Sequence, residues 1–125
     1  WIAEEETSQI FGDGSQSRDF TYVDDIARGA IAAIKDVGHE IINLGGGRNP
    51  VSLNTIISKL EELLGKKAKI DHKPFHVADL METWADISKA KNLLGWEPQI
   101  SLEDGLEKSV QWYISHQNWL KEIFV

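Results

Sequence analysis

The chain has 125 residues, of which 42% are hydrophobic, so it is long and apolar enough to form one domain with a core. Its formal net charge of −7 at pH 7 opposes binding to a phosphate backbone, so we expect no nucleic-acid partner. It has no cysteine, which excludes disulfides, thiolate metal ligands and a cysteine nucleophile and is compatible with the cytoplasm. No apolar run approaches the roughly 18 residues that span a bilayer, and no signal peptide is evident, so we expect a soluble, unprocessed cytoplasmic protein without membrane contact.

The N-terminal residues predict the end of one element and the start of another. Residues 1–6 are typical of a helix tail without a cap in front of it, which suggests that the chain is a fragment. Residues 8–11 predict a short strand that leads into a turn. In that turn Gly12 and Gly14 flank Asp13, because glycine enters positive φ at little steric cost.

A second strand and a helix are expected after the turn. Residues 20–22 alternate between aromatic and polar side chains, as a short strand would. Asp24 and Asp25 then predict an N-cap and a negatively charged first helical turn. The apolar residues that follow recur at helical spacing, so we expect the helix to be buried along one side, by Ile26, Ala30, Ile31 and Ile34.

The middle of the chain predicts another strand and the clearest helix of the sequence. Residues 40–44 contain β-branched side chains and end at the glycine run 45–47, which favours a buried strand. Residues 53–64 place their apolar side chains on one helical face. Ser52 predicts the N-cap of this helix, and Gly65 predicts its C-terminal end.

The C-terminal half predicts one more strand and two more helices. Residues 66–73 predict a strand that Pro74 ends, and residues 75–83 predict a loop. Residues 86–95 predict a short helix, and the last helix opens at residues 101–104 with a box-like cap. Together these elements predict an α/β fold.

The glycine run could be a nucleotide-binding loop or an ordinary turn. It follows a predicted strand and precedes a helix, as a phosphate loop would. However, it lacks the Lys-Ser/Thr pair of a P-loop, and Pro50 stands where the dinucleotide fingerprint has its third glycine. We therefore favour the ordinary turn.

Two histidines raise the question of a metal site. His72 and His76 are four residues apart, and Asp79 follows them. Pro74 lies between the histidines and prevents the helix that would place both imidazoles on one face. We therefore favour exposed loop histidines and expect no metal ligands.

Arg18 has two interpretations that the residues alone leave open. It follows a glycine turn in an acidic chain, and its planar fork of donors suits a diphosphate. Alternatively, it forms a salt bridge with one of the nearby carboxylates, Asp19, Asp24 or Asp25.

Four motifs of the chain resemble, in order and spacing, the C-terminal region of NAD-dependent nucleotide-sugar epimerases and dehydratases, which are extended short-chain dehydrogenases. They are residues 10–27, residues 42–45 with 51–53, residues 78–79 with 84–90, and residues 93–98. The segment 85–89 looks most like UDP-glucose or UDP-glucuronate 4-epimerases.

The resemblance implies a specific division of the fold. The chain would combine the small substrate-binding lobe of the family with the last strand and helix of its Rossmann sheet. Residues 1–125 would be a C-terminal nucleotide-sugar-binding fragment, within which residues 23–45 belong structurally to the end of the NAD-binding domain.

The catalytic parts of such an enzyme are not in this sequence. The family's glycine-rich NAD loop and Tyr-x-x-x-Lys pair are absent, since Tyr22 is followed four residues later by Ile26, and Tyr113 by Gln117. We therefore expect no catalytic residue, no cofactor bound by this fragment, and no activity of the chain alone. NAD would be bound only in the full-length enzyme.

The resemblance also assigns substrate contacts. Phe11 resembles the aromatic residue that packs against uracil, Arg18 the arginine on the pyrophosphate, and Asp79 the carboxylate that accepts hydrogen bonds from the ribose hydroxyls. His76 stands where several family members have a second phosphate-binding arginine. This departure weakens the second phosphate contact, because a neutral imidazole offers one donor and little charge.

The implied function is the UDP-sugar-binding portion of an NAD-dependent UDP-sugar 4-epimerase. A dehydratase or decarboxylase of the same family is the nearest alternative, and a non-catalytic binding or assembly module is an alternative of another class. The expected partners are a UDP-sugar and the missing N-terminal NAD-binding domain. A second copy of the chain is a further expected partner, since an orphaned strand and helix face need cover.

Overall fold

The computed structural model describes residues 1–47, 50–76 and 78–123. Within them the fold is mixed α/β, as the sequence predicts. The strands are β1 (Thr7–Phe11), β2 (Ser17–Arg18), β3 (Val51–Ser52), β4 (Lys69–Lys73) and β5 (Glu82–Thr83). The α-helices are α1 (Val23–Ala32), α2 (Leu53–Leu64) and α3 (Leu102–Ile123), and a π-helical turn spans Ala90–Leu94. In this part of the chain no helix combines the length and apolarity needed to cross a bilayer.

The strands form two small sheets. β1 and β4 pair in parallel, from Thr7 beside Lys69 to Phe11 beside Lys73. β2 is the middle strand of the second sheet, antiparallel to β3 and parallel to β5. This sheet therefore brings together three parts of the chain that are far apart in sequence.

The helix ends at α2 and α3 follow the predicted capping chemistry. The Ser52 hydroxyl accepts the Thr55 N–H at 3.2 Å, and α2 ends at Gly65 with a φ of 63°. At the start of α3, the Asp104 N–H donates to the Ser101 hydroxyl at 3.1 Å. The predicted bounds of α2 are confirmed. They could be predicted because the residues that cap both ends are adjacent to the helix in sequence.

The core has two parts. Ile10 of β1, Ile56 of α2 and Val110 of α3 are buried and line the same cavity of about 450 Å³. The other part is formed by Ala90 and Trp96, which are 0% and 3% exposed.

Helix α1 is buried on a different side from the one predicted. Its buried residues are Asp25 and Gly29, whereas Ile31 is 67% exposed, and Ile34, just beyond the end of the helix, is 84% exposed. The N-cap is Tyr22, so the predicted capping by an aspartate is wrong, whereas the predicted negative charge of the first turn, from Asp24 and Asp25, is confirmed. Asp25 instead lies inside the protein, and no described element covers the isoleucine side of the helix.

Gly29 explains how α1 approaches its neighbours so closely. A Cβ at this position would lie 2.6 Å from Leu44 Cδ1 and 3.0 Å from Trp96 Nε1. The Trp96 indole donates to the Asp25 carbonyl at 2.9 Å. α1 therefore packs through a small residue and a polar contact.

Three other segments differ from their predictions. Residues 20–22 are not a strand, because β2 pairs earlier, at Ser17–Arg18. Residues 40–44 form no strand, because no described strand pairs with their backbone, and Ile41 is 79% exposed. The predicted helix 86–95 differs only at its start: it begins at Ser88, although the Asp86 carboxylate accepts the Ser88 N–H at 2.9 Å, as an N-cap would.

Residues 1–6 form a hydrogen-bonded turn rather than a helix. The Glu6 N–H donates to the Trp1 carbonyl at 2.9 Å, and the Glu5 N–H donates to the Ile2 carbonyl at 3.2 Å. Glu5 has a φ of 59°. Two such backbone hydrogen bonds, one inside the other, around a residue of positive φ are typical of the C-terminal end of a helix. Residues 1–6 therefore have the hydrogen bonds of a helix end, although they do not form a helix.

Candidate functional site

Arg18 and Asp79 meet although 61 residues separate them in sequence. The Ser17 N–H donates to the Met81 carbonyl at 2.7 Å, which holds the loop before β5 against β2. Arg18 Nη2 then lies 2.5 Å from Asp79 Oδ1, in an ion pair whose side chains are 27% and 33% exposed. The Leu80 N–H donates to the same carboxylate oxygen at 2.9 Å.

Three of the predicted substrate-binding residues line one open cavity of about 320 Å³. They are Phe11, His76 and Asp79, and Ala78 lines the same cavity. Phe11 is at the C-terminal end of β1 and is 49% exposed. Arg18 adjoins this cavity through its contact with Asp79. The structure thus brings an aromatic face, an imidazole, a carboxylate and a guanidinium to one place.

The orientation of His76 is set by its own backbone turn. The Ala78 N–H donates to His76 Nδ1 at 3.2 Å, so in the neutral ring the proton is assigned to Nε2. The Asp79 N–H donates to the His76 carbonyl at 2.9 Å and tightens the same turn. His76 therefore offers one N–H donor to its surroundings.

The salt-bridge partners expected for Arg18 from the sequence are wrong. Asp19 accepts the Gly47 N–H at 2.9 Å and the Ala85 N–H at 3.1 Å through Oδ2. Asp25 pairs with Arg28. Arg18 forms its ion pair with the distant Asp79 instead.

Residues 45–47 of the glycine run lie against the Asp19 carboxylate. A Cβ at Gly46 would lie 1.9 Å from Asp19 Oδ1, and the Gly47 N–H donates to that same carboxylate. The described part of this loop therefore encloses a carboxylate of the chain itself. Arg48 and Asn49, which follow the run in sequence, lie outside the described residues.

The histidines show no metal-binding arrangement. His72 lies on β4, and its Nδ1 is 2.8 Å from the Gly12 carbonyl, which it contacts as a donor. Among residues 1–47, 50–76 and 78–123, no three His, Cys, Asp or Glu side chains are grouped as ligands for a metal ion. His72 is exposed, as predicted, but it lies on the strand predicted for residues 66–73 and not in a loop.

Gln16 is a residue of this region that the sequence did not single out. It is 3% exposed, and its Nε2 donates to the Phe11 carbonyl at 2.6 Å. Its Oε1 has no hydrogen-bond partner within the described structure. A glutamine in a polar turn carries no sequence signal of burial, because the side chains that bury it come from elsewhere in the chain.

Comparison with known proteins places these features in a family. The sequence profile described as GDP-mannose 4,6 dehydratase matches residues 2–109. The UDP-glucuronate 4-epimerase of Thermodesulfobacterium geofontis is 60% identical over 125 residues, which are 100% of this chain and 39% of that protein. A more distant relative, the dTDP-glucose 4,6-dehydratase of Escherichia coli, is 31% identical over 91% of this chain and 34% of its own length.

Solved structures give the same result. The UDP-glucuronic acid 4-epimerase of Bacillus cereus, in complex with UDP-glucuronic acid and NAD, matches with a TM-score of 0.80 and 43% identity, over 90% of this chain and 36% of that one. The UDP-glucose 4-epimerase of Thermotoga maritima, with UDP-glucose, matches with a TM-score of 0.84 and 35% identity, over 93% and 37%. The chain thus spans little more than a third of the length of these relatives. It belongs to the GDP-mannose 4,6 dehydratase family and corresponds to the C-terminal region of the NAD-dependent nucleotide-sugar epimerases and dehydratases, the extended short-chain dehydrogenases.

Proposed function

We propose that this chain is the UDP-sugar-binding portion of an NAD-dependent UDP-sugar 4-epimerase. The observation that carries the proposal is the Arg18–Asp79 pair beside the cavity of Phe11 and His76, in a chain 60% identical to a UDP-glucuronate 4-epimerase. The site has the polarity that a nucleoside diphosphate requires. It offers an aromatic face for a base, an acceptor for hydroxyl groups and a cation for phosphate.

In this proposal each side chain has one role. Arg18 binds the diphosphate, because a guanidinium presents paired donors to phosphate oxygens. Phe11 stacks on the uracil, and Asp79 accepts hydrogen bonds from the ribose hydroxyls. His76 donates one hydrogen bond toward the phosphates from Nε2, in place of a second arginine.

The tyrosines of the chain do not take part in proton transfer in this proposal. The Tyr113 hydroxyl donates to Glu4 Oε1 at 2.8 Å, and this hydrogen bond raises the pKa of Tyr113. A proton-transfer tyrosine requires a lowered pKa. The chain supplies substrate binding only, and the oxidation and reduction of the sugar depend on NAD and on groups outside these residues.

The exposed side of α1 provides the expected contact with an NAD-binding portion. Val23, Ile31 and Ile34 are 66%, 67% and 84% exposed, and Ile41 nearby in sequence is 79% exposed. An apolar face of this kind is typical of an interface. In this proposal residues 23–45 belong structurally to the end of the NAD-binding domain and pack against the rest of it. A second copy of the chain is the alternative occupant of this face.

The activity can be tested by incubating the complete natural protein that contains this chain with NAD and UDP-glucuronate. We expect conversion to UDP-galacturonate. The conversion is measured by the nuclear magnetic resonance signal of the sugar C4 proton. Release of carbon dioxide would indicate a decarboxylase instead. Formation of a 4-keto-6-deoxy sugar from a nucleoside-diphosphate glucose would indicate a dehydratase, as in the E. coli relative. Binding of UDP without turnover of any of these sugars would favour the non-catalytic module.

The isolated 125-residue chain is expected not to bind NAD tightly. Its glycine run surrounds the Asp19 carboxylate, and it has no other glycine-rich loop that opens a helix to hold a diphosphate. Titration calorimetry should give no saturable heat with NAD. A dissociation constant in the micromolar range would contradict the prediction.

A further inference from the structure

Any anion that binds Arg18 must compete with Asp79. The guanidinium Nη2 is 2.5 Å from the carboxylate Oδ1, and Nη1 donates to the Ser17 carbonyl at 2.8 Å. The ion pair is only about one-third exposed, so water screens it less than it would a surface pair. An incoming phosphate therefore meets a guanidinium whose charge is already compensated.

The competing carboxylate is held in place by the backbone around it. The Ser17 N–H bonds to the Met81 carbonyl, the Asp79 N–H bonds to the His76 carbonyl, and the Leu80 N–H bonds to the Asp79 carboxylate. A tethered group acts at a high effective concentration compared with a free ligand. An inorganic anion in solution therefore competes poorly with Asp79 for binding to Arg18.

A nucleoside diphosphate changes this competition, because it brings donors as well as an anion. A carboxylate is acceptor-only, so the ribose hydroxyls can replace the guanidinium as the partner of Asp79. Inorganic pyrophosphate has no ribose hydroxyls, and any proton that it carries near neutral pH lies on a phosphate oxygen, within the group that must bind Arg18. Its binding to Arg18 would leave Asp79 with the Leu80 N–H but without its cationic partner, and next to a like charge, which costs free energy.

We propose that Asp79 makes the site selective for nucleoside diphosphates over inorganic diphosphate. Asp79 stays paired with Arg18 until the ribose hydroxyls of a nucleotide donate hydrogen bonds to its carboxylate and replace the guanidinium. This inference rests on the proposed function and goes beyond it. Asp79 becomes a determinant of specificity as well as a ribose ligand. The nearby Lys73, which is beside Phe11 in the register of β1 and β4, is itself paired with Asp71 at 2.7 Å. Lys73 therefore does not replace Arg18 as the cation that binds a phosphate.

The first test uses the complete natural protein and titration calorimetry with UDP and with inorganic pyrophosphate. Asp79→Asn removes the competing charge and keeps an oxygen that can accept the Leu80 N–H. We expect pyrophosphate affinity to rise about tenfold and UDP affinity to fall about tenfold, so that selectivity changes by about two orders of magnitude. Unchanged or weaker pyrophosphate binding would overturn the proposal.

Two control variants separate charge from other effects. Asp79→Glu keeps a carboxylate, so pyrophosphate affinity should stay near that of the wild type. Glu103→Gln removes the partner of Lys59, which lies 2.7 Å away in an ion pair between α3 and α2. It exposes a cation elsewhere on the protein, so a similar gain in this variant would show that the effect is non-specific and overturn the proposal.

A second test uses the wild-type protein and does not depend on the folding of a variant. Saturating uridine should raise the affinity for inorganic pyrophosphate about tenfold, because its ribose releases Arg18 from Asp79. Independent or mutually exclusive binding of the two would overturn the selectivity. Failure of the wild type to bind UDP would overturn the proposed function, whereas the Asp79→Asn measurement with pyrophosphate would still decide whether Asp79 masks Arg18.

Discussion

Replacing Asp25 by asparagine is expected to destabilise the protein by about 3 to 5 kcal/mol, a large share of the roughly 5 to 15 kcal/mol that stabilises a typical domain. The Asp25 carboxylate is 0% exposed and accepts the Gln99 N–H at 3.1 Å and the Ile100 N–H at 3.0 Å. It also pairs with Arg28. An asparagine amide would place its own N–H groups against these donors and leave the arginine without a charged partner. Urea denaturation followed by circular dichroism measures the loss.

Asp24→Asn is the matched control for this change. Asp24 is the adjacent residue in the first turn of α1 and is exposed, so its substitution should alter the free energy of unfolding by no more than about 0.5 kcal/mol. Equal effects of the two substitutions would contradict the assignment of Asp25 as the buried centre of this region.

The contribution of Asp25 should also depend on pH. Burial of the carboxyl by itself raises its pKa, but hydrogen bonds from Ile100, Arg28 and Gln99 outweigh it, and the net pKa is lowered. A lowered pKa means that the stabilisation is complete above the unfolded-state pKa of about 3.9 and is lost as the pH falls through the folded-state pKa below it. The difference in unfolding free energy between wild type and Asp25→Asn should therefore narrow below about pH 4.

Replacing Arg18 by alanine in the complete natural protein is expected to weaken UDP binding by about one to two orders of magnitude. A charge-assisted hydrogen bond contributes about 1.5 to 3 kcal/mol, and tenfold in affinity corresponds to about 1.4 kcal/mol. Arg18→Lys should lose less, because it keeps the charge and lacks only the planar fork. Titration calorimetry with UDP measures both changes.

Lys59→Ala serves as the control for Arg18, because Lys59 also forms an ion pair, with Glu103 at 2.7 Å. Its UDP affinity should equal that of the wild type. If Arg18→Ala instead lowers the melting temperature and leaves UDP affinity unchanged, Arg18 is a structural ion-pair residue. The family assignment would stand in that case, because it rests on the whole sequence.

The features that depend on short-range chemistry could be predicted from the amino-acid sequence. Ser52 and Gly65 mark the ends of α2, because a cap needs only the backbone within one turn. The turn at Gly12 and Gly14 could be predicted because it requires positive φ values, here 89° and 80°, which glycine adopts readily. The α/β class and the family could also be predicted, because they depend on the order of several motifs along the chain.

The pairing of the polar groups depends on contacts between residues that are far apart in sequence. Asp25 resembled an ordinary helix cap, but its backbone donors at Gln99 and Ile100 are 74 and 75 residues away, a distance that no local pattern encodes. In the same way Arg18 stands among nearby aspartates in sequence, yet pairs with Asp79 because β2 and the loop before β5 are hydrogen-bonded together. The roles of Phe11, Arg18, His76 and Asp79 in binding UDP stay predictions.

The sequence also overstated the burial of α1 and of residues 40–44. Their apolar side chains have the spacing of core elements, but burial requires a second surface, and none of the described elements covers Ile34 or Ile41. Apolar spacing reports what a segment can bury, whereas the tertiary structure decides what is there to bury it.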